Sequence, residues 1–300
     1  MKTKLGSRAR FLFVAASSFS VLLSACSPGA VSPGSTSRAP AASAAPVEAG
    51  AAPGKGAAGV RADCAAWSVR RDGRVRYENN QWGGSKAQGP HEQCLLTREQ
   101  NGQIQVGWTW NWPGFDPSVF AYPEVVVGWK PWSGGASTDV HFPIRVADVE
   151  QLALSYQVET TVTGSYDLAP EIWLTDANAS AHANPKSITT EVMFWMDYTE
   201  GARPAGKVVD TVTLNGIDYE LWQEDNIGLS ANGKGWRLLS FKSPSPQHQA
   251  TIDIAALLGH LVKAKLASSN DFLASVELGN EVMGGTGTTW VKQFDVRLGE

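Results

Sequence analysis

Two stretches carry the residues that could do chemistry. In Thr190-Glu191-Val192-Met193-Phe194-Trp195-Met196-Asp197-Tyr198, the aromatic and apolar content reads as a β-strand. Side chains alternate across a strand, so Glu191, Met193, Trp195 and Asp197 share one face, and Val192, Phe194, Met196 and Tyr198 share the other. The second face is wholly apolar and belongs in a core. The first sets carboxylates beside a Met and a Trp, which suits a groove. Residues 275–283 repeat the pattern, with Glu277, Gly279, Glu281 and Met283 on one face and Val276, Leu278 and Val282 on the other. Two carboxylates on separate strands in apolar surroundings are what glycoside hydrolysis needs. One stays protonated to donate to the leaving oxygen while the other attacks or activates water.

Other chemistries find no support. The sequence has no Gly-x-Ser-x-Gly elbow, His-Glu-x-x-His, phosphate loop or Cys-x-x-Cys. Its five histidines are scattered, so neither a metal site nor a histidine triad is expected, and no cofactor is called for. The net charge of −4, with no basic run, excludes a nucleic-acid surface. Asp176-Ala177-Asn178-Ala179-Ser180 lacks the Gly and distal Glu of a calcium loop and reads as a solvated turn.

The elements that must position the acids are short alternating strands, as in an antiparallel sandwich. They are read at 152–158, 160–164, 171–174, 191–198, 208–214, 217–223, 236–242 and 289–297, with Asn215-Gly216 as a tight hairpin turn. Trp108, Trp110 and Trp112 alternate on one side of a strand, a stacking floor or, more simply, packed core. Trp129 and Trp132 stand at a rim or in the core, and Trp222 is equally open between groove and core. One helix is expected over 252–266, from Ile254, Leu257, Leu258, Leu261 and Leu266 at helical spacing and a cap at Thr251 or Asp253.

Residues 1–60 stand apart from this fold. Lys2, Lys4, Arg8 and Arg10 precede an apolar run over 11–23, too short to span a membrane, which reads as a signal peptide of residues 1–25. Leu23-Ser24-Ala25-Cys26 resembles a bacterial lipobox with Cys26 as the lipidated residue, the alternative being an ordinary signal peptide with a chance cysteine. Residues 26–60 are mostly Ala, Gly, Pro and Ser and read as a flexible tether. The expected product is an exported lipoprotein held to a membrane by its N-terminal lipid only, at the cell surface or outer membrane or released outside, and monomeric. Of three cysteines, lipidation of Cys26 leaves Cys64 and Cys94 for a disulfide in an oxidising compartment. Residues 61–300 are long enough for one large β domain.

Three motifs carry a resemblance. Glu-Val-Met-Phe-Trp at 191–195 and Gly-Asn-Glu-Val-Met-Gly-Gly-Thr-Gly at 279–287 resemble the two active-site signatures of glycoside hydrolase family 12, the endo-β-1,4-glucanases and xyloglucanases. Tyr77-Glu78-Asn79-Asn80-Gln81-Trp82-Gly83 is similar to the family's Asn-Asn-x-Trp-Gly strand, and the motifs and the late helix follow the family's order. The resemblance implies a β-jelly-roll sandwich of two curved antiparallel sheets with a concave groove for a β-glucan. It implies retaining double displacement, with Glu191 as nucleophile and Glu281 as acid/base, their carboxyls about 5–5.5 Å apart. Trp82 would stack on sugar, Asn80 would add a polar contact and Met193 would help place the ring at the cleavage point. A family Asp that supports the nucleophile aligns with Glu171, one methylene longer. Glu277 either bonds substrate hydroxyls or is a partly exposed strand acid. Val282-Met283 replaces the frequent Pro-Phe or Pro-Trp pair. The rival reading, a non-catalytic carbohydrate-binding sandwich, would be marked by loss of one carboxylate with the tryptophans kept; both acids are present.

Overall fold

The computed structural model describes residues 54–55, 59–113, 119–137, 139, 141–177, 183–228 and 235–299. The leader, Cys26, most of the tether, and Asn178 and Ser180 of the expected turn lie outside these residues. In chain order the strands begin with β1 (Gly54–Lys55), β2 (Val60–Asp63), β3 (Val69–Asp72) and β4 (Val75–Glu78). Next come β5 (Glu92–Gln100), β6 (Gln103–Trp112), β7 (Glu124–Gly128), β8 (Ile144–Arg145) and β9 (Leu152–Thr175). They continue with β10 (Ile188–Trp195), β11 (Asp197–Tyr198), β12 (Lys207–Leu214), β13 (Ile217–Ile227), β14 (Trp236–Lys242) and β15 (Gln249–Asp253). The helix α1 (Ile254–Lys263) and the last strand β16 (Phe272–Leu298) complete the order. The fold is a β-jelly-roll sandwich with one α-helix.

Two very long strands tie the layers together. β9 and β16 pair antiparallel from Phe272↔Thr175 to Leu298↔Leu152, so each runs through both sheets. One half of β16 pairs with β6, and the other half pairs with β7, which continues to β4 and β3. On the far side, β9 pairs with β10, then β14, β13 and β12. The pair changes sheet where Gly164 faces Gly284 and Gly285. A Cβ on Gly164 would lie 2.4 Å from the Gly284 carbonyl oxygen, and one on Gly285 would lie 2.2 Å from that of Thr163, so only glycine lets the two backbones fold over together. The sequence reading divides β9 into three strands and β16 into two, because this bend and its Thr-rich flanks look like turns from within one chain.

The core between the sheets buries Trp108, Trp110 and Trp112 of β6, Ile172 and Leu174 of β9, Val192 and Phe194 of β10, and Phe241 of β14. The three alternating indoles are therefore packing, as the simpler reading has it. The helix is shorter than 252–266: the Asp253 carboxylate caps it by accepting from the Ala256 N–H at 2.9 Å, and Ile252 belongs to β15. Leu257, Leu258 and Leu261 are its buried stripe. Asn215 and Gly216 both adopt positive φ between β12 and β13, the hairpin geometry expected of Asn-Gly. Cys64 and Cys94 form a disulfide. The sheet begins earlier than residue 61, since β1 lies within the expected tether and pairs with β2.

Candidate active site

The concave sheet builds a cleft of about 860 Å³. Its floor comes from alternate residues of neighbouring strands, Ser165, Glu171 and Trp173 of β9, Glu191, Met193 and Trp195 of β10, Leu238 and Ser240 of β14, and Glu281 and Met283 of β16. Trp67, Trp82 and Trp132 are exposed at its edge, with Trp82 half exposed at 50 %. Trp82 is held from below: its backbone N–H donates to Asn80 Oδ1 at 3.1 Å, while Asn80 Nδ2 donates to Glu124 Oε1 at 2.9 Å. Lys86 Nζ lies 4.6 Å from the Trp82 ring centre.

Glu191 faces the cleft beneath an aromatic wall. Trp236 Nε1 donates to Glu191 Oε2 at 2.7 Å. The Trp236 ring meets Trp132 and Trp173 edge-on, at 4.7 and 5.7 Å between centres. Burial pushes Glu191 up to about 8, Glu281 and Glu277 push the same way, and the indole N–H and the Lys130 charge oppose them. Met193 lies opposite Glu171 in the β9–β10 register.

Glu171 is buried under the cleft, and burial first, then the charges of Glu191, Glu277 and Glu281, hold its carboxyl well above the usual range. Among the described residues no donor bonds it, and its registered neighbours are Met193 and Glu277. Glu171, Glu191 and Glu281 thus form one electrostatic group, and which of them carries a proton is decided jointly. Glu281 is raised chiefly by burial, and Asp167, its registered partner across β9, works the other way.

Beneath these acids lies a buried ammonium. Lys130 Nζ meets Glu124 Oε2 at 2.5 Å and Glu277 Oε2 at 2.6 Å. Burial works against its charge, but Glu124 and Glu277 overcome that and hold Lys130 protonated above its ordinary value. Glu277 is fully buried, with its other oxygen accepting from Ser275 Oγ at 2.7 Å. It is neither in the cleft lining nor partly exposed, because the chain after β7 folds Lys130 down over it.

Asp197 also departs from the expected face. Met196 interrupts the strand, and the Asp197 carboxylate accepts from Tyr166 Oη at 2.6 Å and bonds His248 Nε2 at 2.6 Å. Tyr198 correspondingly meets the Trp195 ring, at 6.0 Å between centres. Trp129 is buried and Trp132 stands at the rim. Trp222 is half-buried, bonded to Glu220 at 3.1 Å and outside the cleft lining. The sequence reading misses Trp236, Lys130, Asp167 and Trp67. Asp167 had a signal, since it stands four residues before Glu171 on one strand and so shares its face. Lys130, a lone cation between Trp129 and Pro131-Trp132, had a weaker one. Trp236 had none, because β10 and β14 pair in parallel across a long sequence gap.

Comparison with known proteins points to one family. A family model described as "Glycosyl hydrolase family 12" matches residues 73–298. The chain is 31 % identical to Endoglucanase S of Pectobacterium parmentieri over 221 residues, 73 % of this chain and 79 % of that protein. It is 23 % identical to the xyloglucan-specific endo-beta-1,4-glucanase 1 of Phytophthora nicotianae, covering 74 % and 85 % of the two chains. The native family 12 xyloglucanase from Bacillus licheniformis superposes with a TM-score of 0.69 at 29 % identity, over 79 % of this chain and 100 % of that one.

Proposed function

The chain belongs to glycosyl hydrolase family 12 and is an endo-β-1,4-glucanase-type glycosidase, and from that premise we propose that it cleaves cellulose-like glucans or xyloglucan with retention, by double displacement on Glu191 and Glu281. The observation that carries this reading is the convergence of those two acids in one cleft, from strands 90 positions apart, under a rim of exposed indoles.

In the first step a Glu191 oxygen bonds to the anomeric carbon as the glycosidic C–O bond breaks, and the departing oxygen takes the proton of Glu281. In the second, Glu281 removes a proton from water, whose oxygen displaces Glu191 and regenerates both groups. The Trp236 N–H and the Lys130 charge favour the carboxylate at Glu191, as a nucleophile requires. Esterification of Glu191 removes one negative charge from the cluster, which lets Glu281 give up its proton and then act as base. Met193 and Trp82 place the sugar, Asn80 fixes Trp82, and Glu171 acts on Glu191 through charge.

The test is release of reducing sugar from xyloglucan, mixed-linkage glucan and carboxymethyl-cellulose by the wild-type protein beside Glu191→Gln. Activity that vanishes in the variant is expected. Full activity in the variant would refute the nucleophile assignment, and binding without release by the wild type would favour a lectin. The basic-apolar leader and Leu23-Ser24-Ala25-Cys26 support export and lipid anchoring at Cys26. Cys26→Ala should then move the enzyme from the membrane fraction to the soluble one.

A further inference from the structure

Asp167 lies on the cleft side of β9, directly opposite Glu281 in the β9–β16 register. It is fully buried, and neither of its carboxylate oxygens meets a side-chain donor among the described residues, with only the Glu281 backbone N–H nearby to favour its charged form against burial. A carboxylate buried without a donor is costly, whereas a carboxylic acid needs only one acceptor. The acceptor next to it is the carboxyl of Glu281, its register partner across the β9–β16 pair. Glu281 is the more open of the two and lines the cleft, so the more deeply buried Asp167 is where the pair's last proton resides.

We propose that Asp167 is a positioning residue that stays protonated and donates its O–H to Glu281, orienting that carboxyl and stabilising it once its own proton has gone to the leaving sugar. This rests on the acid/base role of Glu281. The proton count closes: the Glu281 proton leaves on the sugar oxygen, Asp167 keeps its own, and water returns one to Glu281 in the second step. The other groups facing the pair favour a neutral Asp167. Glu171 on β9, Glu191 on β10 and Glu277 on β16 are acids, and Glu281 and Glu171 act on Asp167 in the same direction as its burial. The nearby Tyr122 hydroxyl donates to the Ala169 carbonyl at 2.7 Å, and that of Tyr166, behind β9, donates to Asp197. The Lys130 ammonium is engaged by Glu124 and Glu277, and Arg203 is exposed at the mouth.

Asp167→Asn and Asp167→Leu separate the possibilities, read as pH profiles of kcat/KM on unactivated glucan beside Glu281→Gln. Asparagine keeps a neutral donor, so its alkaline limb should stay with the wild type. Leucine removes the donor, leaves the Glu281 carboxylate unsupported and should move that limb upward by about one to two pH units. On an aryl β-glycoside with a dinitrophenolate leaving group, which needs no acid, the leucine and wild-type limbs should coincide. Titration of the wild-type carboxyls by carbon NMR should find Asp167 protonated where Glu281 has ionised, which keeps the idea testable if a variant fails to fold. An unmoved limb in Asp167→Leu, or a limb that falls in Asp167→Asn because a charge was removed, would overturn the proposal while loss of activity in Glu281→Gln leaves the acid/base role standing. Full activity in Glu281→Gln would instead overturn that role, and the proposal with it.

Discussion

Trp236→Phe tests how the nucleophile is kept ionised. The substitution keeps an aromatic ring against Trp132 and Trp173 but removes the N–H that reaches Glu191 Oε2 at 2.7 Å. A hydrogen bond to a charged group contributes about 1.5–3 kcal/mol. At 1.36 kcal/mol per pKa unit this corresponds to about one to two units. Glu191 is only part-buried, so cleft water replaces some of the lost donor and the lower end, about one unit, is expected. The sign follows from which form the donor favours. The indole stabilises the carboxylate, so its loss raises Glu191 further above its already elevated value. The acid limb of kcat/KM on soluble xyloglucan should therefore move up by about one pH unit, a roughly tenfold loss on the acid side that closes at higher pH. Initial rates across the pH range, with thermal melting to separate stability from ionisation, read this directly. An acid limb that coincides with the wild type, or moves down, would refute the role given to Trp236.

The other expectations concern stability and binding. Lys130→Met removes the buried cation from between Glu124 and Glu277, leaves their oxygens without it and should cost about 3–5 kcal/mol, seen as a melting temperature lowered by roughly 10 °C. Equal melting to wild type at neutral pH would contradict it. Glu124, Asp167, Glu171, Glu191 and Glu281 are all held above the carboxylate range, burial being the first cause in each. Their stabilising effect is complete below the unfolded values, 4.5 for the glutamates and 3.8 for Asp167, and is lost as pH rises through the folded values, about 8 for Glu191. Urea midpoints should therefore fall from mildly acid to mildly alkaline pH, and a rise would show that these acids are ionised in the fold. Trp82→Ala removes an exposed ring and should leave melting unchanged while lowering kcat/KM on long glucans about tenfold, mainly through KM, for ~1.5 kcal/mol of lost ring contact. Unaltered KM would remove Trp82 from the substrate path.

The faces of single strands were legible in the chain because alternation is a local rule. Glu191 and Met193 fall on the cleft side, and Val192 and Phe194 fall in the core, as the period of two requires. The same rule fails at Met196, where the backbone turns and sends Asp197 to Tyr166 and His248 instead. It fails again at Gly164 and Gly284, where one strand becomes part of two sheets and reads as several.

By itself, then, the sequence determined which residues could be chemical, the strand-rich class of the fold, the Asn-Gly hairpin and the pairing of Cys64 with Cys94. Those properties depend on residue type, short spacing and a small cysteine count. Only the tertiary structure decided which acids meet a charge or a donor. Glu277 became the buried partner of Lys130, Glu191 acquired the Trp236 indole, and Glu281 acquired Asp167. Each of these partners comes from a different strand or from the segment after β7, and each changes the free energy of a proton on its acid. That free energy is a property of the assembled, water-poor cleft and of no stretch of chain alone.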